Sequence, residues 1–325
     1  MKKYKLSIVA PMYNEEEMAP IFYDVLSKIM DKVSSKCDSE LVLVNDGSKD
    51  KTLEILKELR NKDPRITIVS FSRNYGQEAA VTAGVKVAKG DAVIIMDADL
   101  QDPPELIFEM LQSFEEGYDV VNAKRVDRKK DTFLKRFTAE KYYDVIYKLS
   151  GKIKVPKNIG NYRLISRKVV DVLNSLPEKN HVFRVMIPYV GFKTKVLEFV
   201  RPARPKGVTK YNFNSMFKLA GDSITASSLI PLGWSFKFGI FCLPISLISL
   251  LVFIVFYILG KCNVSPFMLI DNGLFMLISL ICTLFSLLFV FVGIASMYIG
   301  RVFTEAQNRP LYIVEEQLDS NLMSK

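Results

Sequence analysis

Short β-branched runs alternate with stretches of helical length through the first hundred residues of the chain. The runs occupy residues 6–10, 41–44, 66–71 and 92–96, and the segments between them are long enough to form helices. This alternation is typical of a parallel sheet in an α/β protein. Because ligands bind at the carboxyl ends of the strands in such sheets, the polar residues after each run are the candidate site.

Composition narrows the chemistry that this site can perform. The 325 residues allow about two domains, and 49% hydrophobic residues are enough to bury a sizeable core. His181 is the only histidine, so multi-His zinc sites are excluded and a His-dependent triad would have to use this residue. Carboxylates and cations must therefore carry the chemistry. The cysteines lack the spacing of a zinc ribbon or a disulfide framework; they are Cys37, Cys242, Cys262 and Cys282.

Two long runs without a charged residue follow in the last third of the chain. They cover residues 238–259 and 273–299, and at about 1.5 Å per residue each helix would cross a hydrocarbon core of about 30 Å. Two buried helices of a water-soluble core are the alternative, although such long uncharged runs are rare there. We expect a catalytic domain over residues 1–232, two transmembrane helices within 233–305 and a cytoplasmic tail over 306–325, with residues 311–325 mobile.

The flanking charges predict the orientation of the two spans. Lys218 and Lys237 precede the pair, and Arg301 and Arg309 follow it. Cations favour the cytoplasmic side, so both termini and the catalytic domain are expected in the cytoplasm. The sequence thus predicts a multi-pass protein of the inner (plasma) membrane.

The net charge of +9 is concentrated in residues 124–154 and 193–218. Such basic segments suit an anionic membrane lipid or an anionic substrate. Residues 133–149 show the apolar arc of an interfacial amphipathic helix, although a helix packed on the sheet domain would show the same pattern. The sequence contains no nucleic-acid-binding motif, so a nucleic acid is not an expected partner.

Polar clusters follow the first two predicted strands. Residues 11–17, PMYNEEE, present an aromatic ring, an amide and carboxylates after a proline-led turn. Acids also favour a helix N-terminus electrostatically, so helix capping is an alternative interpretation. In residues 45–48, NDGS, Asp46 is a candidate acceptor for sugar hydroxyls or a base N–H. Gly47 allows a tight turn and Ser48 can cap the next helix, so a turn and cap is again the alternative.

The fourth predicted strand ends in two closely spaced acids. Period-two alternation projects Asp97 and Asp99 in the same direction, and Gln101 follows before a proline-led helix start. Two such carboxylates repel each other unless a cation bridges them. Hard oxygen ligands are what Mg²⁺ or Mn²⁺ requires, and such an ion also binds substrate phosphates. This motif therefore predicts a divalent cation site.

The sequence lacks both common phosphate-binding loops. It has no Gly-x-Gly-x-x-Gly dinucleotide fingerprint and no Gly-x-x-x-x-Gly-Lys-Ser/Thr loop. Cations must then hold any phosphates. The candidates are Arg163 and the cluster at residues 201–210, for which a solvated basic linker is the alternative.

Taken together, PMYNEEE, VNDGS, DADLQDPPELI, GNYRLISR and RPKGVTKY stand in the order found in glycosyltransferase family 2. Over about residues 5–305 the chain resembles the membrane-bound polyprenyl-phosphate glycosyltransferases of that family. The resemblance implies an α/β fold of the GT-A (Rossmann-like) type, with a mixed sheet, a juxtamembrane amphipathic region and two C-terminal transmembrane helices.

The resemblance also implies roles for individual residues. The nucleoside would be held by Pro11, Tyr13, Glu15 and Asp46. The metal-bound diphosphate would be held or approached by Asp97, Asp99 and Gln101. Phosphate contacts would come from Arg163, Arg204 and Lys210. Asp99 is expected nearest the reaction centre, as a metal ligand or also as a base.

The implied reaction is inverting transfer of one hexose from a UDP-sugar to undecaprenyl phosphate at the cytoplasmic membrane face, with Mg²⁺ or Mn²⁺. Glucose is the first expectation, and N-acetylglucosamine, mannose, a guanine nucleotide or another lipid acceptor are alternatives. A non-catalytic membrane scaffold is the alternative from another class. The resemblance is also compatible with a homo-oligomer. Processive synthesis is not expected, because the only tryptophan, Trp234, stands outside a Gln-x-x-Arg-Trp motif.

Overall fold

The computed structural model describes residues 3–126, 159–176, 183–200 and 270–320, with five single positions between 241 and 255. Two compact units divide the chain. The first comprises Met1–Tyr147, Lys152–Ser223 and Arg309–Lys325, and the second comprises Lys148–Gly151 and Ile224–Asn308. The first unit carries the sheet and the candidate site.

An eight-stranded mixed sheet forms the centre of the first unit. The strands are β1 (Tyr4–Met12), β2 (Cys37–Asn45), β3 (Ile66–Phe71), β4 (Ala92–Ile95), β5 (Val120–Arg125), β6 (Ile159–Ser166), β7 (Thr194–Phe199) and β8 (Val314–Leu318). Their order across the sheet is β7-β5-β6-β4-β1-β2-β3-β8. The strands β4, β1, β2 and β3 are parallel neighbours, whereas β6 and β8 run antiparallel to β4 and β3. The four strands predicted from the apolar runs are confirmed as β1 to β4.

Helices connect and cover these strands. In the first unit they are α1 (Met18–Val33), α2 (Thr52–Lys62), α3 (Gln77–Val87), α4 (Leu106–Glu115), α5 (Arg167–Ser175) and α6 (Phe183–Val190). In the second unit the structure describes α7 (Ile270–Ala306). The β–α alternation over β1 to β4 gives the parallel part of the sheet, as the periodicity predicts.

The hydrophobic core lies on both faces of the sheet, because successive strand residues point to opposite sides. Leu6, Ile8 and Ala10 of β1 belong to the cluster that includes the apolar faces of α1 and α4. Val9 belongs to the opposite cluster, which includes the apolar residues of α3. The central strands are therefore buried on both faces. The polar side chains of the candidate site stand in the loops that follow these strands.

The C-terminal residues do not form the predicted mobile tail. Residues Val314–Leu318 pair antiparallel with β3 as the edge strand β8, and Ser320 is 2% exposed. The strand is fixed by backbone pairing, which a composition rich in acids does not reveal.

The prediction of a multi-pass inner-membrane protein is wrong. Among the described residues, no helix is long and apolar enough to cross a membrane. The predicted span 273–299 lies within α7, whose side chains are described only in part. Most of the predicted span 238–259 lies outside the described residues, as does the predicted amphipathic helix 133–149.

Candidate active site

The carboxyl ends of β4, β1, β2 and β3 lie along one edge of the sheet, here called the carboxyl edge. The register pairs Met12 with Asn45 and Asn45 with Ser70, so the loops after β1, β2 and β3 begin side by side. The shorter β4 ends beside β1, where Ile95 pairs with Val9. The topology thus brings the polar segments of the sequence together.

The first predicted nucleoside residues stand at this edge. Pro11 of β1 pairs with Val44 of β2 and lies beyond the residues of β1 that pair with β4. Its missing N–H therefore costs no hydrogen bond to β4. Tyr13 and Glu15 follow in the loop and are partly buried. The Asp46 N–H donates to the Met12 carbonyl at 2.9 Å, which fixes the loops after β1 and β2 against each other.

Further hydrogen bonds join the same two loops. The Asn14 N–H donates to Ser48 Oγ at 3.0 Å, and the Lys49 N–H donates to Asn14 Oδ1 at 2.9 Å. Asn14 has a φ of 52°, a left-handed conformation that asparagine tolerates better than most residues. The Glu15 N–H donates to Thr52 Oγ1 at 2.9 Å. These contacts fix the loop after β1 against the loop after β2 and the first residue of α2.

Ser48 does not cap the next helix, so the cap in the alternative interpretation of NDGS does not form. Helix α2 begins at Thr52, and Asp50 Oδ1 accepts the Thr52 N–H at 3.0 Å. Ser48 instead accepts from the loop after β1. The predicted tight turn at Gly47 is confirmed, because this residue has a φ of 62°.

Asp46 organises the edge through the loop after β3. Its Oδ1 accepts the Tyr75 N–H at 2.7 Å, and its Oδ2 accepts the Gly76 N–H at 2.9 Å and Asn74 Nδ2 at 2.8 Å. Burial raises the pKa of the Asp46 carboxyl, and the hydrogen bonds from Tyr75 and Gly76 only partly offset this effect. In this structure Asp46 therefore holds residues 74–76 in place beside β2.

Residues 72–77, here called the β3 loop and ending with the first residue of α3, are a part of the site that the sequence interpretation missed. Gln77 Nε2 donates to Asp97 Oδ1 at 2.7 Å, and the Arg73 guanidinium lies 4.2 Å from the centre of the Tyr75 ring. The loop thus links Asp46 to Asp97. The signal was available, because the β3 loop is the polar segment after the third apolar run.

The two acids of the predicted cation site lie in a turn rather than on an extended strand. Strand β4 ends at Ile95, so the predicted period-two alternation does not continue to Asp99. The Asp99 Oδ1 accepts the Gln101 N–H at 3.1 Å, and Leu100 between them has a φ of 54°. A non-glycine residue in this region costs free energy and clusters at functional sites. Asp97 is partly buried and Asp99 is 8% exposed.

The donor atoms of this turn fit a divalent cation that a substrate helps to bind. Among the described residues, no group of three or more His, Cys, Asp and Glu side chains is arranged to hold a metal ion. Mg²⁺ sites, however, commonly use one or two carboxylates and complete their shell with water and substrate phosphates. Asp97, Asp99 and Gln101 supply two carboxylates and one amide oxygen within five residues, which is a hard-oxygen donor set of that kind.

Buried contacts hold the segment that follows this turn. Arg125 Nη2 forms an ion pair with the buried Asp102 at 3.3 Å, and the Tyr162 hydroxyl donates to the Pro103 carbonyl at 2.9 Å. These contacts come from β5 and β6, so the antiparallel part of the sheet supports the acidic turn.

Of the three residues predicted to contact phosphate, the structure describes one. Arg163 lies in β6 opposite Ile95 of β4, is 2% exposed, and donates from Nη2 to the Gly160 carbonyl. Arg204 and Lys210 lie outside the described residues, as does His181. The structure therefore brings Pro11, Tyr13, Glu15, Asp46, Asp97, Asp99 and Gln101 to the carboxyl edge, and it describes Arg163 at the next strand.

Comparison with known proteins identifies the class. The family model described as glycosyl transferase family 2 matches residues 7–173. The chain is 42% identical over 318 residues to the uncharacterized glycosyltransferase YkcC of Bacillus subtilis, covering 95% of this chain and 93% of that protein. It is 38% identical over 324 residues to the bactoprenol glucosyl transferase of Shigella phage SfII, covering 98% and 99%. The chain belongs to glycosyltransferase family 2 and is a glycosyltransferase.

The mixed α/β sheet is GT-A-like, as the resemblance to glycosyltransferase family 2 implies. Among solved structures, glucosyl-3-phosphoglycerate synthase from Mycobacterium tuberculosis, determined with Mn²⁺, UDP and glucosyl-3-phosphoglycerate, is similar with a TM-score of 0.48. That likeness covers 68% of this chain and 78% of the other at 17% identity.

Proposed function

We propose that the chain transfers one hexose, with glucose the first candidate, from a UDP-sugar to a polyprenyl phosphate, with undecaprenyl phosphate as the acceptor. The acceptor class and the sugar are supported by the name of the bactoprenol glucosyl transferase that aligns along 98% of the chain. The observation that carries the proposal for the site is the link from Asp46 through the β3 loop to Asp97. We propose residues 1–232 as the catalytic domain, completed by β8.

The charges at the carboxyl edge suit a nucleotide diphosphate only with a cation between them. A diphosphate and the carboxylates of Asp97 and Asp99 repel each other, so a divalent cation would be held by these two acids, with Gln101 close by. When bound, that cation stabilises the negative charge on the leaving diphosphate. We assign the nucleoside to Pro11, Tyr13, Glu15 and Asp46 on the same edge.

The acceptor places a small demand on base catalysis. A phosphate monoester has a second pKa near 6 and is largely ionised at neutral pH. A carboxylate such as Asp99 therefore suffices where a hydroxyl acceptor would need a stronger base. We propose that Asp99 lies nearest the anomeric carbon, and that attack from the face opposite the diphosphate inverts that carbon. Phosphate contacts are assigned to Arg163, Arg204 and Lys210.

The basic segments 124–154 and 193–218 are the proposed contacts of the acceptor phosphate. Their concentrated positive charge supports this assignment.

The deciding experiment incubates the full chain with undecaprenyl phosphate, Mn²⁺ or Mg²⁺ and labelled UDP-glucose, UDP-N-acetylglucosamine or GDP-mannose. Label in the organic phase is counted. We expect UDP-glucose to label the lipid, with loss of label on addition of EDTA and in an Asp99→Asn preparation that serves as the blank. Parallel reactions with diacylglycerol test the other acceptor class.

The outcomes separate the candidates. Label from another sugar would correct the donor, and label in diacylglycerol would correct the acceptor. If folded protein labels no lipid from any donor, the scaffold alternative gains weight and the proposed transfer is wrong for these substrates.

A further inference from the structure

The edge strand β8 joins the sheet through a strong set of contacts at its far end. The Ser320 N–H donates to Thr67 Oγ1 at 3.0 Å, and Arg60 Nη2 donates to the Asp319 carbonyl at 2.6 Å. Lys57 Nζ lies 2.5 Å from a Glu316 carboxylate oxygen. These bonds anchor residues 316–320 to α2 and β3, away from the carboxyl edge.

The other end of β8 meets the β3 loop. The Ser72 N–H donates to the Ile313 carbonyl at 3.2 Å. The Tyr312 ring stacks on Phe71, with 4.8 Å between centroids and an interplanar angle of 14°. Phe71 in turn packs edge-on against Tyr75 at 5.7 Å. Three aromatic rings therefore connect the C-terminal segment to the residue whose N–H binds Asp46.

The pairing of β3 with β8 is irregular at this point. The register shifts between Ser70 and Phe71, and such bulges bend a strand and redirect its side chains. Because the ladder is interrupted just before the β3 loop, the ladder alone does not fix the direction in which the chain leaves β3. The stack of Tyr312 on Phe71 and the bond to Ile313 fix that direction.

We propose that Tyr312 is a positioning residue for the sugar donor: its ring holds Phe71 and Tyr75, and through them the β3 loop that binds Asp46 and Asp97. The inference rests on the proposed function, because it takes the β3 loop as part of the donor site. Tyr312 contacts no reacting group itself, and it acts through Phe71.

The ring of Tyr312, and not its hydroxyl, positions the β3 loop. The ordinary pKa of a tyrosine hydroxyl already lies far above physiological pH, and burial raises the pKa of Tyr312 further, so the hydroxyl brings no charge to the β3 loop. A stacked aromatic pair contributes about 0.5–1.5 kcal/mol beyond area burial. Tyr312→Phe therefore keeps the positioning, whereas Tyr312→Leu keeps an apolar side chain and loses the stack.

The test compares three variants of the full chain. Tyr312→Leu is the disruptive variant, Tyr312→Phe the conservative one, and Tyr4→Leu the matched control. Tyr4 forms a comparable aromatic pair, 5.4 Å from Phe114, but stands at the start of β1, at the opposite end from the carboxyl edge. The measurements are hydrogen exchange of the Tyr75 and Gly76 amides and the KM for UDP-glucose; if the wild type transfers no sugar, the Kd for UDP replaces that KM.

Tyr312→Leu should speed exchange at both amides and raise the donor KM by about 3- to 10-fold, with kcat and the acceptor KM within about twofold of wild type. Tyr312→Phe should match the wild type, and Tyr4→Leu should lower Tm without changing the donor KM. Tyr312→Met is prepared alongside in case the Leu variant does not fold, because its flexible side chain fills irregular gaps.

The inference is overturned if Tyr312→Leu leaves amide exchange or the donor KM as in the wild type, or if Tyr312→Phe raises the donor KM as much as Leu does. An equal rise in Tyr4→Leu would also overturn it, because the effect would then follow general stability. Failure of the proposed function is distinguishable, since it appears as absent transfer in the wild type, whereas amide exchange reports on the β3 loop without catalysis.

Discussion

The two ends of the parallel sheet hold their acidic side chains in different ways. At the amino end of β3, the Asp63 carboxylate is bound by the Arg65 guanidinium, with 2.7 Å between Nη2 and Oδ2. At the carboxyl edge, the described partners of the Asp46 carboxylate are the N–H groups of Asn74, Tyr75 and Gly76. The first acid is neutralised by the protein's own cation, and the second is held by neutral amides.

The pKa shifts have opposite signs for the same reason. At Asp63, burial favours the neutral acid, but the hydrogen bonds and charge of Arg65 outweigh it and lower the pKa. At Asp46, burial outweighs the hydrogen bonds from the β3 loop and raises the pKa. An anion without a paired cation retains attraction for a positive charge that arrives with a ligand. The comparison therefore distinguishes an acid neutralised by the protein's own cation from an acid held by the loop that forms the site.

The largest expected effect comes from the acidic turn. Asp97→Asn and Asp99→Asn should each lower transfer by about 100-fold or more, because each removes a carboxylate that would hold the cation at the diphosphate. The free energy of unfolding, measured with denaturant, should stay within about 0.5 kcal/mol of the wild-type value, because the amide keeps the size of the side chain.

The matched control for these variants is Asp38→Asn at the amino end of the sheet. Asp38 lies in β2 with a side chain 65% exposed, so both transfer and stability should stay at the wild-type level. Full activity of Asp97→Asn and Asp99→Asn would remove the distinction between the two ends of the sheet.

Gly47 allows a sharper test of the carboxyl edge. A Cβ at Gly47 would lie 2.2 Å from the backbone of Arg73, and its φ is 62°. Gly47→Ala should therefore displace the β3 loop, cost about 3 kcal/mol of the unfolding free energy and raise the donor KM. Denaturation and kinetics measure the two effects.

Gly117 is the matched control for this substitution. Its φ is 84°, but a Cβ there would meet no atom within 4 Å. Gly117→Ala should cost only about 1 kcal/mol, from backbone strain alone, and leave the donor KM unchanged. Equal costs at Gly47 and Gly117 would show that the close approach of Arg73 does not matter.

Much of this site follows from local sequence signals. Strand β3 coincides with the predicted run 66–71, and the turn at Gly47 follows from its Asp-Gly-Ser context. The partner of Ser48 was not predictable, because Asn14 precedes it by 34 residues and follows the neighbouring strand. Strand β8 was not predictable either, since residues 314–318 read VEEQL, and their pairing with β3 joins positions about 250 residues apart. Long-range pairing leaves little trace in a single sequence.

A substitution at Asp46 should affect both stability and donor binding. Asp46→Asn replaces one acceptor oxygen with an N–H donor that faces backbone N–H groups. We expect a loss of about 2 kcal/mol in unfolding free energy and a higher donor KM. Asp97→Asn, measured in the same denaturation series, should lose activity without this loss of stability. If Asp46→Asn is as stable as wild type, the contacts to the β3 loop contribute no net stability.

The smallest expected effect is the pH dependence of the stability that Asp63 contributes at the amino end of β3. The pKa of Asp63 is lowered in the folded state, so its contribution is fully present above the unfolded pKa of about 3.9 and is lost as the pH falls through the folded pKa. The unfolding free energy of wild type should exceed that of Asp63→Asn by about 1 kcal/mol at pH 6, and the difference should shrink below about pH 4. Denaturation at a series of pH values measures it, with Asp38→Asn as the exposed control. If the difference in unfolding free energy stays constant from pH 6 to pH 2, Asp63 stabilises the fold by packing. The ion pair between Asp63 and Arg65, which distinguishes the amino end from the carboxyl edge, would then contribute no stability.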